Sequence, residues 1–168
     1  MKKWFFIFLL FPFVGFSQDC KLKKETDDFT HETKITTGFV AFNETGNRFL
    51  LSIDANSKDV DFFFALPGNG DAGCFDNSST SIISFEGSKV KSTYRNTGSM
   101  NCEGMFHVTF RNVRTTPSAL NKLATLKISS INFKGNGKPI EIKLKDEEKI
   151  AIMQMAKCLV DESKTLLK

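Results

Sequence analysis

The chain has 168 residues, of which 40% are hydrophobic and 25% charged, and its formal net charge at pH 7 is +4. Two of its lysines, Lys2 and Lys3, belong to an N-terminal segment that we expect to be removed, which leaves 21 basic residues against 19 acidic ones. A chain so near neutrality attracts phosphate weakly, and no basic run is interleaved with aromatic residues, so nucleic acid is disfavoured as a partner.

Residues 1–18 have the pattern of a secretory signal peptide. Lys2 and Lys3 precede an almost unbroken apolar run that ends at Phe16, and this run is too short for a stable membrane span. Asp19 stands before Cys20, where a lipoprotein signal has a small residue. We therefore expect an exported soluble protein, periplasmic or secreted, whose residues 19–168 form a single β-rich domain with a C-terminal helix and no membrane span.

The first half of this domain is predicted to be built of strands. Residues 19–37 are polar and predict an irregular lead followed by an edge strand, and residues 38–43 predict a short strand. Residues 48–53 and 60–66 predict a hairpin, in which Phe62-Phe63-Phe64 indicates a central strand covered on both faces. The acidic turn between Asp54 and Asp61 lacks the glycine and closing glutamate of a calcium loop and contains Lys58, so a plain turn is favoured over a metal site.

Residues 67–77 form the longest predicted loop, and they are the one candidate binding element. The loop has neither the spacing nor the lysine of a phosphate-binding loop, and no helix follows it, so an anchored surface loop is the favoured interpretation. Its candidate contact residues are Gly68, Asn69, Gly70, Asp71, Phe75 and Asp76.

A hairpin over residues 79–95 organises the prediction. Val90, Ser92 and Tyr94 alternate with Lys91, Thr93 and Arg95, which is typical of a strand with one buried face, and Gly87 supplies a turn. The midpoint of Cys74 and Cys102 falls at residue 88, on this turn, so antiparallel pairing brings both cysteines to the same end of the hairpin.

Four cysteines in an exported chain predict two disulfides, for which three connectivities exist. We favour Cys74–Cys102, which leaves Cys20–Cys158 to tie the N-terminal segment to the last helix. No pair has Cys-x-x-Cys spacing and neither histidine is near them in the sequence, so we expect no metal and no cofactor.

The second half combines strands with two helices. Residues 105–111 predict a strand, and Thr116 and Pro117 predict the N-cap and first position of a short helix. Residues 126–133 and 139–144 predict a third hairpin with a bulge near Ser129 and Ser130, and residues 146–167 predict a final helix with an apolar stripe. The fold class is therefore α+β: an antiparallel sandwich or roll built from hairpins, with one short internal helix and a C-terminal helix packed on the sheet.

No catalytic residue can be named from the sequence. His31 and His107 are the only histidines, and neither belongs to a motif that pairs a nucleophile with a base. The mature part contains no Trp and a single Tyr, which lowers the case for a flat aromatic sugar-binding platform.

Four stretches stand out: the cysteine-bearing start leading into Asp28-Phe29-Thr30, the turn Phe85-Glu86-Gly87-Ser88, the stretch Asn101-Cys102-Glu103-Gly104 before a strand, and the helix and strand over residues 118–133. In these stretches the chain resembles small exported Bacteroidetes proteins of unknown function. The resemblance implies an exported, disulfide-bearing β-rich domain and no particular activity.

Three functions remain open. The first is a non-catalytic binding or envelope-associated structural module for a protein or small ligand. The second is a periplasmic or secreted inhibitor of a hydrolase that acts through residues 67–77. The third and least favoured is a hydrolase, which requires a deep polar pocket around His31 or His107.

Overall fold

The computed structural model describes residues 21–43, 46–67 and 73–167. The predicted signal peptide, Cys20 and the loop residues Gly68, Asn69, Gly70 and Asp71 lie outside this part of the chain. Within it are ten strands: β1 Lys23–Thr26, β2 Thr33–Thr36, β3 Val40–Phe42, β4 Phe49–Ala55, β5 Asp59–Ala65, β6 Thr80–Phe85, β7 Lys91–Arg95, β8 Met105–Arg111, β9 Ile128–Lys134 and β10 Ile140–Lys143. Helix α1 spans Ser118–Thr125, and α2 spans Asp146–Ser163 and ends in a 3-10 turn, Lys164–Leu166.

The strands form two antiparallel sheets, and the α+β class is confirmed. The larger sheet has six strands in the order β1-β2-β4-β5-β8, with β3 also paired to β4. The smaller sheet has the order β10-β9-β6-β7. Since β6 pairs with β9, the two predicted hairpins β6–β7 and β9–β10 are joined side by side into one sheet.

Aromatic rings from both sheets meet in the core. The Phe133 ring of the smaller sheet lies 5.3 Å from the Phe64 ring and 5.2 Å from the Phe106 ring of the larger sheet, centroid to centroid. Such tilted ring pairs stabilise a core beyond the area they bury. The C-terminal helix α2 packs against α1, β2, β4 and β9, which places its buried stripe of Ile152, Ala156, Leu159 and Val160 on the sheets as expected.

The hairpin over residues 79–95 and the bulge in β9 are both confirmed. Strands β6 and β7 pair from Thr80↔Arg95 to Ser84↔Lys91, and Gly87 in their turn has a φ of 70°. Between β6 and β9 the register passes from Ser84↔Ser130 to Phe85↔Ile128, so Ser129 is the extra residue. Val90, predicted to face inward, lies outside β7 and is 63% exposed.

The disulfide Cys74–Cys102 is present, as the hairpin geometry predicts. Cys158 is also disulfide-bonded. Cys20, its expected partner, lies outside the described residues, so the pairing Cys20–Cys158 stays a prediction.

Three further local predictions are wrong. The polar lead contains a further strand, β1, because main-chain pairing with β2 forms this strand although all four of its side chains are exposed. Phe63 faces the partly exposed side of β5 and stacks on the His107 ring, so β5 is central in the sheet but buried on one face. Helix α1 begins one residue later than predicted, with Pro117 as its N-cap and no side-chain cap, so Thr116 does not cap it.

Neither α-helix in the described part of the chain is both long and apolar enough to cross a bilayer.

Candidate functional site

The stem of the predicted binding loop is fixed at both ends. On the incoming side, the Leu66 N–H donates to the Gly104 carbonyl over 3.0 Å. On the outgoing side, the Cys74 N–H donates to Asn136 Oδ1 over 2.7 Å and the Cys74 carbonyl accepts from the Asn136 N–H over 3.2 Å. Together with the disulfide to Cys102, these bonds hold the loop ends to the β9–β10 turn and to the segment before β8.

Two candidate contact residues of this loop have structural roles instead. Phe75 is 0% exposed, and its ring lies 5.4 Å from the Phe106 ring, so it anchors the loop in the core and offers no contact surface. Asp76 Oδ1 accepts hydrogen bonds from the hydroxyl and backbone N–H groups of Ser78 and Ser79. These bonds, the Ser78 hydroxyl first, hold the pKa of Asp76 below its usual range. The Asp76 carboxylate therefore builds the turn that leads into β6.

His31 belongs to the β1–β2 turn. Its φ is 54° and its N–H donates to the Asp27 carbonyl over 2.9 Å. Asp27 Oδ1 accepts from the Thr30 N–H and hydroxyl and from the Phe29 N–H, and these bonds lower the pKa of Asp27. The turn is thus organised by Asp27, and His31 serves as a turn residue.

His107 lies in a polar cluster on the outer face of the larger sheet. Its Nε2 is 2.9 Å from Asp61 Oδ1 on the neighbouring strand β5. The Thr109 hydroxyl donates to the same carboxylate oxygen over 2.8 Å and lies 2.9 Å from the Thr97 hydroxyl. The His107 and Asp61 side chains are 23% and 18% exposed, and Phe63 covers one face of the imidazole with ring centroids 4.2 Å apart.

The described geometry of this cluster does not pair a nucleophile with a base. Although burial raises the pKa of Asp61, the hydrogen bonds from His107 and Thr109 hold it below its usual value, so the carboxylate stays ionised. A catalytic histidine bonds a carboxylate through one ring nitrogen and the nucleophile through the other. Here the Thr109 hydroxyl lies 3.2 Å from Nε2, the nitrogen that already contacts Asp61. No hydroxyl or thiol of the described chain is hydrogen-bonded to Nδ1.

The main chain around His107 explains what the cluster does. The Thr97 N–H donates to the His107 carbonyl over 2.8 Å, and the His107 N–H donates to Asn96 Oδ1 over 2.8 Å. Since residues 96 and 97 directly follow β7, these bonds tie an edge of the smaller sheet to the last strand of the larger one. The cluster therefore joins the two sheets.

The neighbouring polar groups on this face are also paired with one another. Asp54, directly opposite Asp61 in the register, accepts from the hydroxyls of Thr36 and Ser52 and forms an ion pair with Lys34 at 2.5 Å. Across residues 21–43, 46–67 and 73–167, no group of three His, Cys, Asp or Glu side chains is placed to hold a metal ion. The polar side chains named on this face are therefore bonded to one another.

A shallow cleft of about 380 Å³ lies where β3 meets the start of α2. Its lining includes Phe42, Asn43, Lys145 and Glu148. The Glu148 carboxylate accepts from the Asn43 N–H over 2.6 Å and from the Lys145 N–H over 2.9 Å, so it fixes the start of the helix. Neither histidine lines this cleft, and the hydrolase hypothesis gains no support from it.

The outward face of the smaller sheet differs from all of these. Alternation places Lys91 and Arg95 of β7, Lys134 of β9 and Lys143 of β10 on it, all exposed, with Glu141 of β10 as its one acidic residue. We call this surface the basic face. Its uncharged members are Thr80, Ile82, Ser84, Thr93, Ser130 and Asn132.

The register fixes how these side chains are arranged. The first of three cross-strand rows on this face consists of Lys143, Ser130, Ser84 and Lys91, and the third consists of Lys134, Thr80 and Arg95. Between them lies the row Glu141, Asn132, Ile82, Thr93. With strands about 4.8 Å apart and same-face residues about 6.8 Å apart along a strand, the four cations frame an area of about 14 by 13 Å.

The polar groups of the basic face have no internal partners. In the part of the chain that the structure describes, none of its four cations takes part in an ion pair, and none of its hydroxyl or amide side chains makes a hydrogen bond. Other lysines are paired: Lys127 and Lys149 contact Glu86, and Lys58 contacts Glu32. The basic face thus offers unused donors and acceptors on the outer surface of the smaller sheet.

Comparison with known proteins adds no assignment, because no protein-family model, no curated protein and no solved structure matches the chain. The resemblance to small exported Bacteroidetes proteins stays a prediction.

Proposed function

We propose that this protein is an exported, non-catalytic binding module that holds an anionic ligand on the basic face. The observation that carries the proposal is the contrast between the two outer sheet faces. On the larger sheet, Asp54, Asp61 and His107 are bonded to neighbouring side chains. On the smaller sheet, four cations and five hydroxyl or amide side chains are left for a ligand.

Edge protection alone does not account for this pattern. Charged side chains on edge strands, lysine especially, prevent pairing with other chains, which accounts for the cations of β7 and β10. Lys134, however, lies on the interior strand β9, and four of the five charges on the face are positive. This excess of positive charge favours an anionic partner.

The export part of the proposal rests on the N-terminal pattern together with the disulfide chemistry. A disulfide such as Cys74–Cys102 persists in an oxidising compartment. Expression of the full chain in a bacterium with a periplasm should give a product in the periplasm or medium that begins at Gln18 or Asp19. Its non-reduced mass should be about four hydrogens below the reduced mass, as two disulfides require. A product that is found in the cytoplasm and still contains residues 1–18 contradicts export.

The binding part is tested by affinity electrophoresis in gels that contain an anionic or a neutral polymer. Wild-type protein should be retarded by the anionic polymer, and the variant Lys91→Glu with Lys143→Glu should not. The matched control is Lys23→Glu with Lys24→Glu, which reverses two exposed lysines on β1 of the other sheet. Equal retardation of both variants overturns the proposal.

A second function, inhibition of a hydrolase through residues 67–77, is favoured by the anchored loop stem. Inhibitory loops bind tightly when they are preorganised, and here the disulfide, the Asn136 bonds and buried Phe75 fix the stem. Replacing residues 68–72 by a short Gly-Ser linker should abolish inhibition of a sensitive hydrolase and leave the far-UV circular dichroism spectrum unchanged. Inhibition that survives the replacement rules out this function.

A further inference from the structure

We infer that the ligand of the basic face is an extended acidic polysaccharide, a chain of sugars that carries carboxylate or sulfate groups. This inference rests on the proposed function and adds the chemical class of the ligand. It follows from the spacing of the cations, from the groups between them and from the side chains that the face lacks.

The spacing of the cations requires a ligand with several separated charges. Neighbouring cations of the face are about 10 to 14 Å apart, measured between Cα positions along the register. A small anion such as phosphate cannot contact all four cations together, because they frame an area of about 14 by 13 Å. A polymer with repeated anionic groups can contact all four together, and linked contacts reinforce one another.

The groups between the cations match the hydroxyl groups of sugars. Thr80, Thr93, Ser84, Ser130 and Asn132 supply four hydroxyls and one amide, each able to donate and accept. Ile82, in the middle of the face between Thr93 and Asn132, gives an apolar spot for the C–H side of a sugar ring.

The side chains that the face lacks argue against other polyanions. Single-stranded nucleic acids bind through aromatic side chains that stack on bases, and the basic face has no aromatic residue. Protein interfaces concentrate aromatic and apolar residues at their centre, and here Ile82 is the one apolar residue. A sugar chain, whose contacts are mainly hydrogen bonds and charges, fits the surface best.

The experiment measures binding of the mature protein to four soluble probes by isothermal titration calorimetry. The probes are polygalacturonate fragments, dextran sulfate, neutral dextran and oligothymidylate. We expect binding to polygalacturonate or dextran sulfate and none to neutral dextran. Oligothymidylate should bind more weakly than the acidic sugar chains at equal salt.

Salt dependence counts the charges in contact. With the counterion-release slope of single-stranded nucleic acids, about 0.7 per contact, four contacts predict a roughly 50-fold loss of affinity between about 50 and 200 mM salt. The variant Lys91→Gln with Lys143→Gln keeps two contacts, so the same change in salt should cost about sevenfold. At fixed salt this variant should bind about 2- to 30-fold more weakly than wild type, the range expected for two exposed ion pairs. Lys23→Gln with Lys24→Gln is the matched control and should bind as wild type does.

A further variant separates sugar recognition from charge alone. Asn132→Ala removes the central amide without changing the charge, and it should weaken binding of the acidic sugar chain about 2- to 12-fold, as loss of one hydrogen bond predicts. If Asn132→Ala has no effect, or if oligothymidylate binds more tightly than both acidic sugar chains, the polysaccharide inference is overturned while the anion-binding function stands. If no anionic probe distinguishes the Lys91 and Lys143 variant from its control, the proposed function itself fails.

Discussion

Removal of the Cys74–Cys102 disulfide should destabilise the protein by a predictable amount. The bond closes a segment with a sequence separation of 28 residues, for which the chain-entropy relation gives about 3.6 kcal/mol. Other contacts hold the same segment: Phe75 is buried in the core, its N–H donates to the Asn101 carbonyl over 2.8 Å, and its carbonyl accepts from the Asn101 N–H over 2.9 Å. The loss therefore arises mainly in the unfolded chain, which gains freedom.

The test is urea denaturation of the variant Cys74→Ser with Cys102→Ser in residues 19–168, followed by far-UV circular dichroism because these residues include no Trp. We expect the free energy of unfolding to fall by about 2 to 4 kcal/mol and the m-value to rise, since the unfolded chain exposes more surface. Binding to the basic face should be unchanged, because neither cysteine lies on it. A loss below about 1 kcal/mol would show that the unfolded chain is already confined, and it would refute this account.

Three further predictions concern the fold. The folded pKa of Asp61 lies below its unfolded value of about 3.9, so the carboxylate stabilises the protein above about pH 4, and this contribution is lost as the pH falls through the folded pKa. Asp61→Asn should therefore lower the free energy of unfolding by about 1 to 3 kcal/mol at pH 7 and by less at pH 3. Urea titration at both pH values measures the two losses. Gly73→Ala should destabilise the protein more than Gly87→Ala does, as measured by thermal denaturation. Both glycines have a positive φ, but a Cβ at residue 73 would lie 2.1 Å from Asn136 Oδ1, whereas one at residue 87 meets nothing within 4 Å. Equal effects of the two substitutions would contradict this close approach. Phe133→Ala should cost about 3 to 5 kcal/mol in urea unfolding because it removes the ring that joins the two sheets, and a loss near 1 kcal/mol would mean that the core closes over the site.

Local patterns identified most of the elements because they are short-range. The turn at Gly87 needs a positive φ, and alternation on either side of it marks β6 and β7. The change of phase around Ser129 in β9 appears in the sequence itself and matches the bulge. The disulfide followed from the symmetric placement of Cys74 and Cys102 about the same turn.

Two of the errors have a common cause, which is that the pairing and stacking partners lie far away in the sequence. Lys23 and its neighbours in β1 have no apolar alternation, so only the pairing with β2 reveals the strand. Phe63 was expected under a second layer, but the imidazole of His107, 44 positions further on, covers its ring. Tertiary contacts decide both positions.

The basic face was hidden for the same reason. Alternation in β7 already assigns Lys91 and Arg95 to one side of that strand. Nothing in the sequence joined the two hairpins, because this requires the pairing of β6 with β9. The site exists only once that register is known.

The magnitudes of the charge interactions explain why the folded protein tolerates four neighbouring cations and which groups must supply the affinity of the basic face for its ligand. Two unit charges 10 Å apart in water repel each other by about 0.4 kcal/mol before screening, and physiological salt screens beyond about 8 Å, so the four cations cost the free protein little. Four exposed ion pairs with a ligand give only about 1 to 4 kcal/mol, a dissociation constant no tighter than about millimolar. Tighter binding therefore depends on the hydroxyl and amide groups between the cations. For this reason Asn132→Ala, which leaves every charge in place, is the variant that most directly decides whether the face recognises sugars or merely attracts anions.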